Sequence, residues 1–457
     1  MKREIILLSI FFLIGSEIFA ETINLERARE LALANSRSLA KYNLSIRSSV
    51  LDERSQLYSM LPSPSAGYGA TMNYLNRDWG FVNPIDTLNA EATFAVTQKI
   101  FEGGKSFIQK KLSAIATESV RNEALAEYYN VLDSADNAYY AVLEAAATLE
   151  AAESSLQTAA LSLSMAEIRQ QSGMINRGDY LKALADKEDR ENSRNQARRN
   201  LTLSIARLNV LTGLAGTPEL APIDFDAYEE LIQRLAGISD EEADALYGRL
   251  WETFAKTNLS LARAALNSQR AEKSFSLAKR DYSPTISATL FSTGLNYSTA
   301  NGFADGPASG PAAGFTHSSG GGISIRGSIP VDFWVVANRI EKSKIARDSA
   351  VMDYAGAEIS LETELYSALL SVFAQAESVL SSRRSLDYTE KHFEFIMERY
   401  RLSQSSVSDL GEASSLLINS RNSHIKARYG FLQSLSKLRS LGVIDDEEKL
   451  VNMLMGS

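Results

Sequence analysis

Residues 88–104 read LNAEATFAVTQKIFEGG, and this stretch decides the fold. From Leu88 to Val96 every second residue is apolar and the residues between them are mostly polar, which is the pattern of a β-strand with one apolar face. After Gly103 and Gly104 the pattern becomes helical and stays so over about 104–171. The sequence therefore predicts a two-faced strand that leads into a helix roughly 100 Å long, at about 1.5 Å per residue.

Three further segments show the same alternation, at residues 66–74, 286–290 and 323–329. Alternation over about ten residues per strand is typical of a transmembrane β-barrel. The alternative is half of a soluble β-sandwich, but no other strands are predicted that would form a second sheet. We expect the following side chains to face lipid: Tyr68, Met72, Leu88, Phe94, Val96, Ile286, Ile323 and Ile325.

Four strands are too few to close a barrel, because single-chain barrels begin at about eight strands. An open sheet edge in hydrocarbon leaves amide and carbonyl groups unpaired, which is costly. Closure therefore requires several copies of the chain, and three copies give twelve strands whose polar face lines a pore. The predicted fold is mixed and mainly α, with a long coiled-coil α-helical barrel and four transmembrane β-strands per chain that close as a 12-stranded β-barrel when three copies assemble.

The chain also contains an internal two-fold repeat. Residues 32–40, ALANSRSLA, align with residues 254–262, FAKTNLSLA, and further along the chain Asp179 aligns with Asp409. Each block has the order helix, strand, strand, long helix, returning helix. The predicted organisation is a signal peptide at 1–20, a first repeat at 21–212, a connector at 213–245, a second repeat at 246–442 and a C-terminal tail at 443–457.

Apolar residues along the predicted helices recur at alternating steps of three and four, which indicates coiled-coil seams. In the first block we predict one helix over about 24–59, ending before Pro62, and a returning helix over about 179–212. The connector is predicted to hold one short helix. Residues 301–322, rich in Gly, Ala, Ser and Pro, are predicted to form a flexible loop.

Composition excludes several classes of function. The net charge of −9 over 457 residues argues against nucleic acid as a partner, since a phosphate-binding surface is normally basic. The absence of cysteine excludes thiol nucleophiles, disulfides and cysteine metal sites. Lys2 and Arg3 precede the apolar run 5–14, and the chain then reaches Ala20, which is the pattern of a cleaved secretory signal peptide. We therefore expect export.

We expect no catalytic, metal-binding or cofactor-binding site. His317, His392 and His424 are scattered and lack the spacing of a metal site or a catalytic triad. No GxxxxGK[ST] phosphate loop is present. An enzyme is therefore not expected.

Two helix-turn segments and one junction carry a family resemblance. The segments are RQQSGMINRGDYLKA at 169–183 and RYRLSQSSVSDLGEA at 399–413, and the junction is QKIFEGG at 98–104. Together with the duplicated plan they resemble the outer-membrane efflux protein family, the TolC-like channel-tunnels. Two departures are that Ser403 stands where the family has glycine, and that residues 333–334 are Phe-Trp where Gly-Gly is usual.

The resemblance implies a homotrimer in the outer membrane of a diderm bacterium, with a long periplasmic extension. It also implies that the chain is the passive exit duct of a tripartite efflux or type I secretion system. A periplasmic adaptor protein and an inner-membrane pump would be its partners, and the pump would supply the energy. The alternative is a periplasmic coiled-coil scaffold or tether without channel activity.

The resemblance further implies that the turns between long and returning helices dock onto the adaptor, through Gly173, Asp179, Ser403, Ser406 and Asp409. The two aspartates are also suited to cap the returning helices, which is a purely local role.

Near the second turn, Asp387, Glu390 and Glu394 fall at helical spacing. Three copies of this stripe around an axis would form a cation-attracting aperture ring. The alternative is a solvated helix face on which these carboxylates pair with Lys391 or with neighbouring arginines.

Overall fold

The computed structural model describes residues 22–73, 87–300 and 320–456, with side chains described throughout except at 71–73, 87–90 and 293–300. The predicted signal peptide and most of the predicted loop at 301–322 therefore lie outside the described residues, as do the side chains of Met72 and Leu88. The described helices are α1 (Leu25–Asn35), α2 (Arg37–Tyr58), α3 (Lys105–Gln171), α4 (Arg177–Thr212), α5 (Glu229–Ala236), α6 (Asp240–Thr257), α7 (Leu259–Lys279), α8 (Phe333–Arg401), α9 (Val407–Gly442) and α10 (Glu447–Met455). The strands are β1 (Ser63–Asn73), β2 (Thr87–Phe101), β3 (Thr285–Ala300) and β4 (Gly320–Ser328).

The prediction of a mainly α chain with four strands is confirmed, and the helix predicted over 104–171 is α3. The prediction of one helix over 24–59 is wrong, because the chain breaks between α1 and α2 at Ser36, whose backbone is extended. The adjacent Asn35 donates its side-chain amide to the carbonyls of Val210 (3.2 Å) and Leu211 (3.1 Å) at the end of α4. The break therefore places the amide of Asn35 where it pairs with carbonyl groups that the end of α4 would otherwise leave without a donor.

The strands form one antiparallel sheet in the order β1-β2-β3-β4. The central pair, β2 and β3, joins segments far apart in the chain, and its register shifts between Ala90 and Ala92 and between Lys99 and Phe101. No helix of the described residues has both the length and the apolar content needed to cross a bilayer.

The chain divides into two compact units. Unit 1 comprises Met1–Arg37, Glu127–Phe254 and Thr363–Ser457, and unit 2 comprises Ser38–Ala126 and Ala255–Glu362. The long helices α3 and α8 each contribute residues to both units.

Unit 1 has its own core. The largest fully buried side chains of the described residues all lie in it, among them Tyr139, Tyr140, Phe254 and Phe431. The C-terminal tail contributes α10, which the sequence pattern does not reveal and which buries Leu450 and Leu454.

A charged cluster is also buried in unit 1. Asp136, fully buried, accepts hydrogen bonds from Arg29 Nε (2.5 Å), Arg439 Nη2 (2.5 Å) and Ser436 Oγ (2.8 Å). A buried charge is tolerated only when it is paired and hydrogen-bonded. This carboxylate therefore ties α1, α3 and α9 together.

Unit 2 contains the sheet and the helices that lead into and out of it, namely α2, the first part of α3, α7 and the first part of α8. Its buried side chains are smaller in number and include Leu261, Phe275 and Val336.

Candidate functional site

The four strands place their apolar side chains on one face of the sheet. Residues directly opposite each other in an antiparallel pair lie on the same face. Tyr68 is opposite Ala92 in the β1–β2 pair. Val96 is opposite Leu290, which in turn is opposite Ile323. The apolar side chains of four separate segments thus lie on one face of the sheet.

This apolar face is exposed. The exposed fraction is 78% for Tyr68, 53% for Phe94, 75% for Ile323 and 71% for Ile325, while Val96 and Ile286 are intermediate. The backbones of Met72 and Leu88 pair with each other, but their side chains lie outside the described part. No described element of unit 2 covers these exposed side chains, so their apolar surface requires an environment other than water.

The opposite face is mainly polar. Thr97 Oγ1 lies 3.1 Å from Thr289 Oγ1, and Ser324 is opposite Thr289 on β4. Phe291 interrupts this face, and Gly322 on β4 leaves room for its ring, because a Cβ at Gly322 would approach Phe291 Cζ to 3.1 Å.

The outer strands β1 and β4 each pair with a described strand on one side only. No described strand lies along their other edges, and a strand edge of this kind is a template for another strand.

The junction between β2 and α3 is built by two glycines with positive φ, Gly103 (63°) and Gly104 (77°). A Cβ at Gly103 would lie 2.3 Å from Ser283 Cβ, so only glycine fits the turn. Arg280 Nη1 donates to the Gly103 carbonyl (2.8 Å) and holds the turn in place.

An ion cluster braces the same junction. Asp281 contacts Lys105 on α3 (2.9 Å) and Arg339 on α8 (2.8 Å). Partial burial raises the pKa of Asp281, but hydrogen bonds from these two bases outweigh it and hold the pKa below its usual range. The sequence pattern does not reveal this three-residue cluster, because its members come from separate segments.

The two helix tips, in unit 1, have the same backbone geometry. Gly173 (φ 71°) ends α3 and Ser403 (φ 60°) ends α8. The amides of Met174 and Gln404 donate to carbonyls five residues earlier, and those of Gly173 and Ser403 to carbonyls three residues earlier. This is the Schellman pattern, in which a left-handed residue follows the helix end. Ser403 therefore occupies the left-handed position that glycine occupies in the first tip.

The sequence expectation that Asp179 and Asp409 cap the returning helices is wrong. The caps are Asn176, which accepts from the Asp179 amide (2.9 Å), and Ser406, which accepts from the Asp409 amide (3.1 Å). The aspartates lie three residues inside the cap, where the backbone is already helical.

In the second tip the Asp409 carboxylate accepts the Ser406 amide (2.9 Å) and completes a capping box. Hydrogen bonds from the Ser406 backbone and hydroxyl lower the pKa of Asp409.

Arg169 links the two tips, a role that the sequence pattern does not reveal. Its guanidinium lies 4.2 Å from the ring centroid of Tyr400 and donates to the carbonyls of Tyr400 and Arg401 at the end of α8. The Tyr400 ring is fully buried with Ala166, Ala183 and Met397. A basic residue at a helix C-terminus is favoured by the helix dipole as well as by these bonds.

A groove of about 410 Å³ lies beside the tips, between α3, α4 and α9. Small residues line its floor, and its rim carries Lys182, Asp186, Ser408 and Glu412. Lys182 Nζ donates to Ser408 Oγ across it (2.8 Å).

The structure places Asp387, Glu390 and Glu394 along α8, as the spacing predicts. Asp387 pairs with Lys391 (2.8 Å), and Glu390 pairs with Arg421 (3.1 Å). No ion pair is seen for Glu394 within the described ranges, and it is exposed. Two of the three carboxylates thus already have a basic partner within the chain.

A family model described as outer membrane efflux protein matches residues 28–214 and 250–442 of this chain. The chain is 23% identical over 407 residues to outer membrane protein TolC from Escherichia coli (strain K12), an alignment that covers 85% of this chain and 76% of that protein.

Solved structures show the same fold. The CmeC outer membrane channel of Campylobacter jejuni matches with a TM-score of 0.73 at 16% identity, covering 93% of this chain and 88% of that one. The outer membrane protein VceC of Vibrio cholerae matches with a TM-score of 0.71 at 16% identity, covering 92% of this chain and 96% of that one.

Proposed function

Because this chain belongs to the outer membrane efflux protein family and is a TolC-like protein of the outer membrane, we propose that it forms a homotrimeric channel. The channel is the passive exit duct of an efflux or secretion system. The observation that carries the proposal is the four-stranded sheet, whose apolar faces coincide and whose outer edges are free of a described partner.

The physical argument concerns closure. In hydrocarbon every backbone amide and carbonyl must be paired, so a sheet with two open edges is excluded there. Pairing β1 of one copy with β4 of the next closes a ring, and three copies give twelve strands. The face that includes Tyr68 and Ile323 then contacts lipid, while the face that includes Thr97 and Thr289 lines the pore.

The helix tips are the proposed contact with a periplasmic adaptor, which in turn binds an inner-membrane pump. The proposed contact residues are Gly173, Ser403 and Ser406 in the two turns and Asp179 and Asp409 in the first turns of the returning helices. Arg169 links the two tips. The neighbouring groove offers small residues with charged groups of both signs at its rim, which suits an α-helical hairpin of mixed charge. Energy comes from the pump, and this chain supplies the path.

We also propose that the acidic stripe on α8 forms an aperture ring in the trimer. Lys391 and Arg421 already neutralise Asp387 and Glu390, so Glu394 contributes most of the net charge. Three such carboxylates around one axis attract cations.

The test is to extract the protein from its native membrane and reconstitute it. We expect it to appear in the outer-membrane fraction, to leave it only with detergent, to have the mass of three chains by light scattering, and to conduct ions in a planar lipid bilayer. A protein that is freely soluble in the periplasm and shows no conductance would contradict the proposal and favour a scaffold or tether.

A further inference from the structure

The four described strands carry very few charged side chains. Strands β1 and β3 have none, β2 has Glu91 and Lys99, and β4 has Arg326. The chain as a whole has a net charge of −9, so an excess of bases in the sheet does not follow from its composition. The sheet is thus a local departure from the acidic character of the chain.

Lys99 and Arg326 lie in one row across three neighbouring strands. Lys99 is opposite Ser287 in the β2–β3 pair, and Ser287 is opposite Arg326 in the β3–β4 pair. The adjacent row on the same face contains Thr97 and Thr289, whose hydroxyl oxygens are 3.1 Å apart. The two bases therefore lie on the polar face of the sheet, and their Cα atoms are about 10 Å apart, at about 4.8 Å between neighbouring strands.

The bulge after Lys99 makes this row the last one of β2 on the polar face. Beyond the bulge Phe101 is opposite Ile286, which alternates with Ser287 and so lies on the apolar face. Uninterrupted alternation would instead place Phe101 on the same face as Lys99. The bulge thus removes an aromatic ring from the polar face and leaves a base at its end, next to the junction with α3.

The two bases differ in how their charge is balanced. Lys99 Nζ lies 2.8 Å from Glu102 Oε1, and the same carboxylate accepts a hydrogen bond from Ser106 Oγ (2.6 Å). Arg326 is exposed, and no acidic partner is seen for its side chain in the described part of the chain. The net positive charge of this row therefore comes from Arg326.

The strands of a neighbouring copy also offer no counter-charge. In the proposed ring β4 pairs with β1 of the next copy, and β1 contains no charged residue. Glu91, the one acid of the four strands, precedes Lys99 by eight residues and is about 26 Å away at about 3.3 Å per residue. This distance exceeds the Debye length of about 8 Å at physiological ionic strength. The charge of Arg326 is therefore not cancelled by the wall of the barrel.

We propose that Arg326, together with Lys99, forms a basic ring around the pore at the helical end of the barrel, and that this ring favours the passage of anionic solutes such as organic carboxylates, phosphates and sulfates. The proposal rests on the proposed trimeric channel and names a residue that sets its selectivity. Three copies place Arg326 three times at one level, beside three lysines that Glu102 balances. Rings of Arg or Lys act in this way in pores that conduct anions.

The first experiment tests which face carries Arg326 and uses the natural lack of cysteine. The single variants Arg326→Cys and Ile325→Cys are reconstituted in lipid vesicles and treated with a charged methanethiosulfonate that does not cross lipid. We expect Arg326→Cys to be labelled, whereas lipid protects its neighbour on the apolar face, Ile325→Cys. Protection of Arg326→Cys, or equal labelling of the two variants, would overturn the proposal.

The second experiment measures ion selectivity as the reversal potential of the channel in a planar bilayer under a KCl gradient. We expect Arg326→Gln to raise the ratio of potassium to chloride permeability about twofold near 0.01 M salt, where the Debye length is about 30 Å. The effect is expected to vanish near 1 M salt, where that length is about 3 Å. Arg326→Lys is the matched control, because it keeps the charge and is expected to keep the ratio. A wild-type ratio in Arg326→Gln at low salt would overturn the proposal.

A third measurement applies if Arg326→Gln does not assemble. Channels of Arg326→Cys that already conduct are modified with a cationic or with an anionic methanethiosulfonate. We expect the cationic reagent to move the reversal potential toward that of the wild type and the anionic reagent to move it in the opposite direction. The same shift with both reagents would show an effect of size instead of charge, and would overturn the proposal.

The outcomes separate this proposal from the proposed function. A wild-type trimer that conducts ions with the same selectivity as Arg326→Gln overturns the basic ring and leaves the channel intact. A wild-type chain that is monomeric and does not conduct overturns both.

Discussion

The two compact units differ in how they treat their large apolar and aromatic side chains. Unit 1 buries Tyr139, Tyr140 and Phe431 in a core of its own and encloses a charged cluster at Asp136. Unit 2 leaves Tyr68 on the sheet and Met352 on α8 largely exposed.

This difference shows that the stability of the two units has different sources. Apolar burial contributes about 25 cal/mol per Å² only where the surface is removed from water. Unit 1 obtains this contribution within one chain, whereas in the proposed trimer the exposed surfaces of unit 2 obtain it from lipid or from a neighbouring chain. Substitutions in unit 1 are therefore expected to act on the free energy of unfolding, and substitutions on exposed apolar positions of unit 2 on insertion and assembly.

The largest expected effect is in the core of unit 1. Asp136→Ala removes the only acidic partner that Arg439 has within the described ranges and leaves its guanidinium buried, at a cost of about 3–5 kcal/mol. Urea denaturation followed by circular dichroism measures the loss. The control is Glu30→Ala, which breaks the exposed pair with Arg27 and is expected to cost less than about 1 kcal/mol. Equal losses in the two variants would contradict the buried-cluster interpretation.

The second prediction concerns the exposed face of the sheet. Phe94→Asp removes an apolar ring from the lipid side and adds a charge. Together these changes are expected to destabilise the membrane-inserted protein by about 3 kcal/mol. The measurement is the fraction of protein recovered as outer-membrane trimer. The matched control is Thr93→Asp, which places the same carboxylate on the polar face of the same strand. Normal trimer recovery for Phe94→Asp would contradict the lipid-facing assignment.

The junction between the sheet and α3 gives the third prediction. Gly103→Ala combines positive φ with a clash against Ser283 and is expected to cost about 2–3 kcal/mol in thermal or urea unfolding. Gly104→Ala has the same backbone strain, but its Cβ meets nothing closer than Arg280 Nη1 at 3.7 Å, so it is expected to cost about 1 kcal/mol. Equal free energies of unfolding for the two variants would show that the steric clash with Ser283 does not contribute to the loss at Gly103.

The fourth prediction is at the second tip. Ser406→Ala removes the cap of α9 and half of the capping box, with an expected cost of about 1 kcal/mol. Amide hydrogen exchange detects the loss as faster exchange at the start of α9. Ser408→Ala, in the same turn, leaves the cap intact and serves as the control. Unchanged exchange in Ser406→Ala would show that the tip is held by its other contacts.

The last prediction concerns the stability of unit 1 at alkaline pH. Burial raises the pKa of Tyr139 from about 10 to about 12, and its hydroxyl donates to the carbonyls of Ile23 and Ala221. A pKa that is higher in the folded state gives stability that is complete below pH 10 and is lost as the pH rises to about 12. We expect the free energy of unfolding of unit 1 to fall in this pH range. The difference in absorbance at 295 nm between wild type and Tyr139→Phe isolates the titration, and a midpoint near pH 10 would contradict it.

The part of the fold that local patterns determine is predictable from the sequence. Alternation places Phe94 and Val96 on one face, and the structure confirms that face across four strands. Helical periodicity predicts the start of α3 at about residue 104, and the helix begins at Lys105. The tips are predicted as turns, but their caps are assigned to the wrong residues, because Asn176 and Ser406 are recognised only once the helix starts are known.

The residues that the sequence does not reveal are those whose partners are far away along the chain. Asp136 meets Arg29 and Arg439, and Asp281 meets Lys105 and Arg339, across separations that no periodic pattern covers. From the sequence alone Arg169 is an ordinary basic residue of a helix. Only the structure shows that it donates to a carbonyl group at the end of α8.

The sequence alone determined the period of each segment, and therefore which side chains share a face, because that follows from the geometry of a single strand or helix. Only the tertiary structure decided that β2 and β3 are central and that β1 and β4 are the edges. That choice depends on hydrogen bonds between strands from opposite halves of the chain, which local residue order does not specify. It also decided which apolar faces one chain buries and which, on α8 and on the sheet, it leaves exposed.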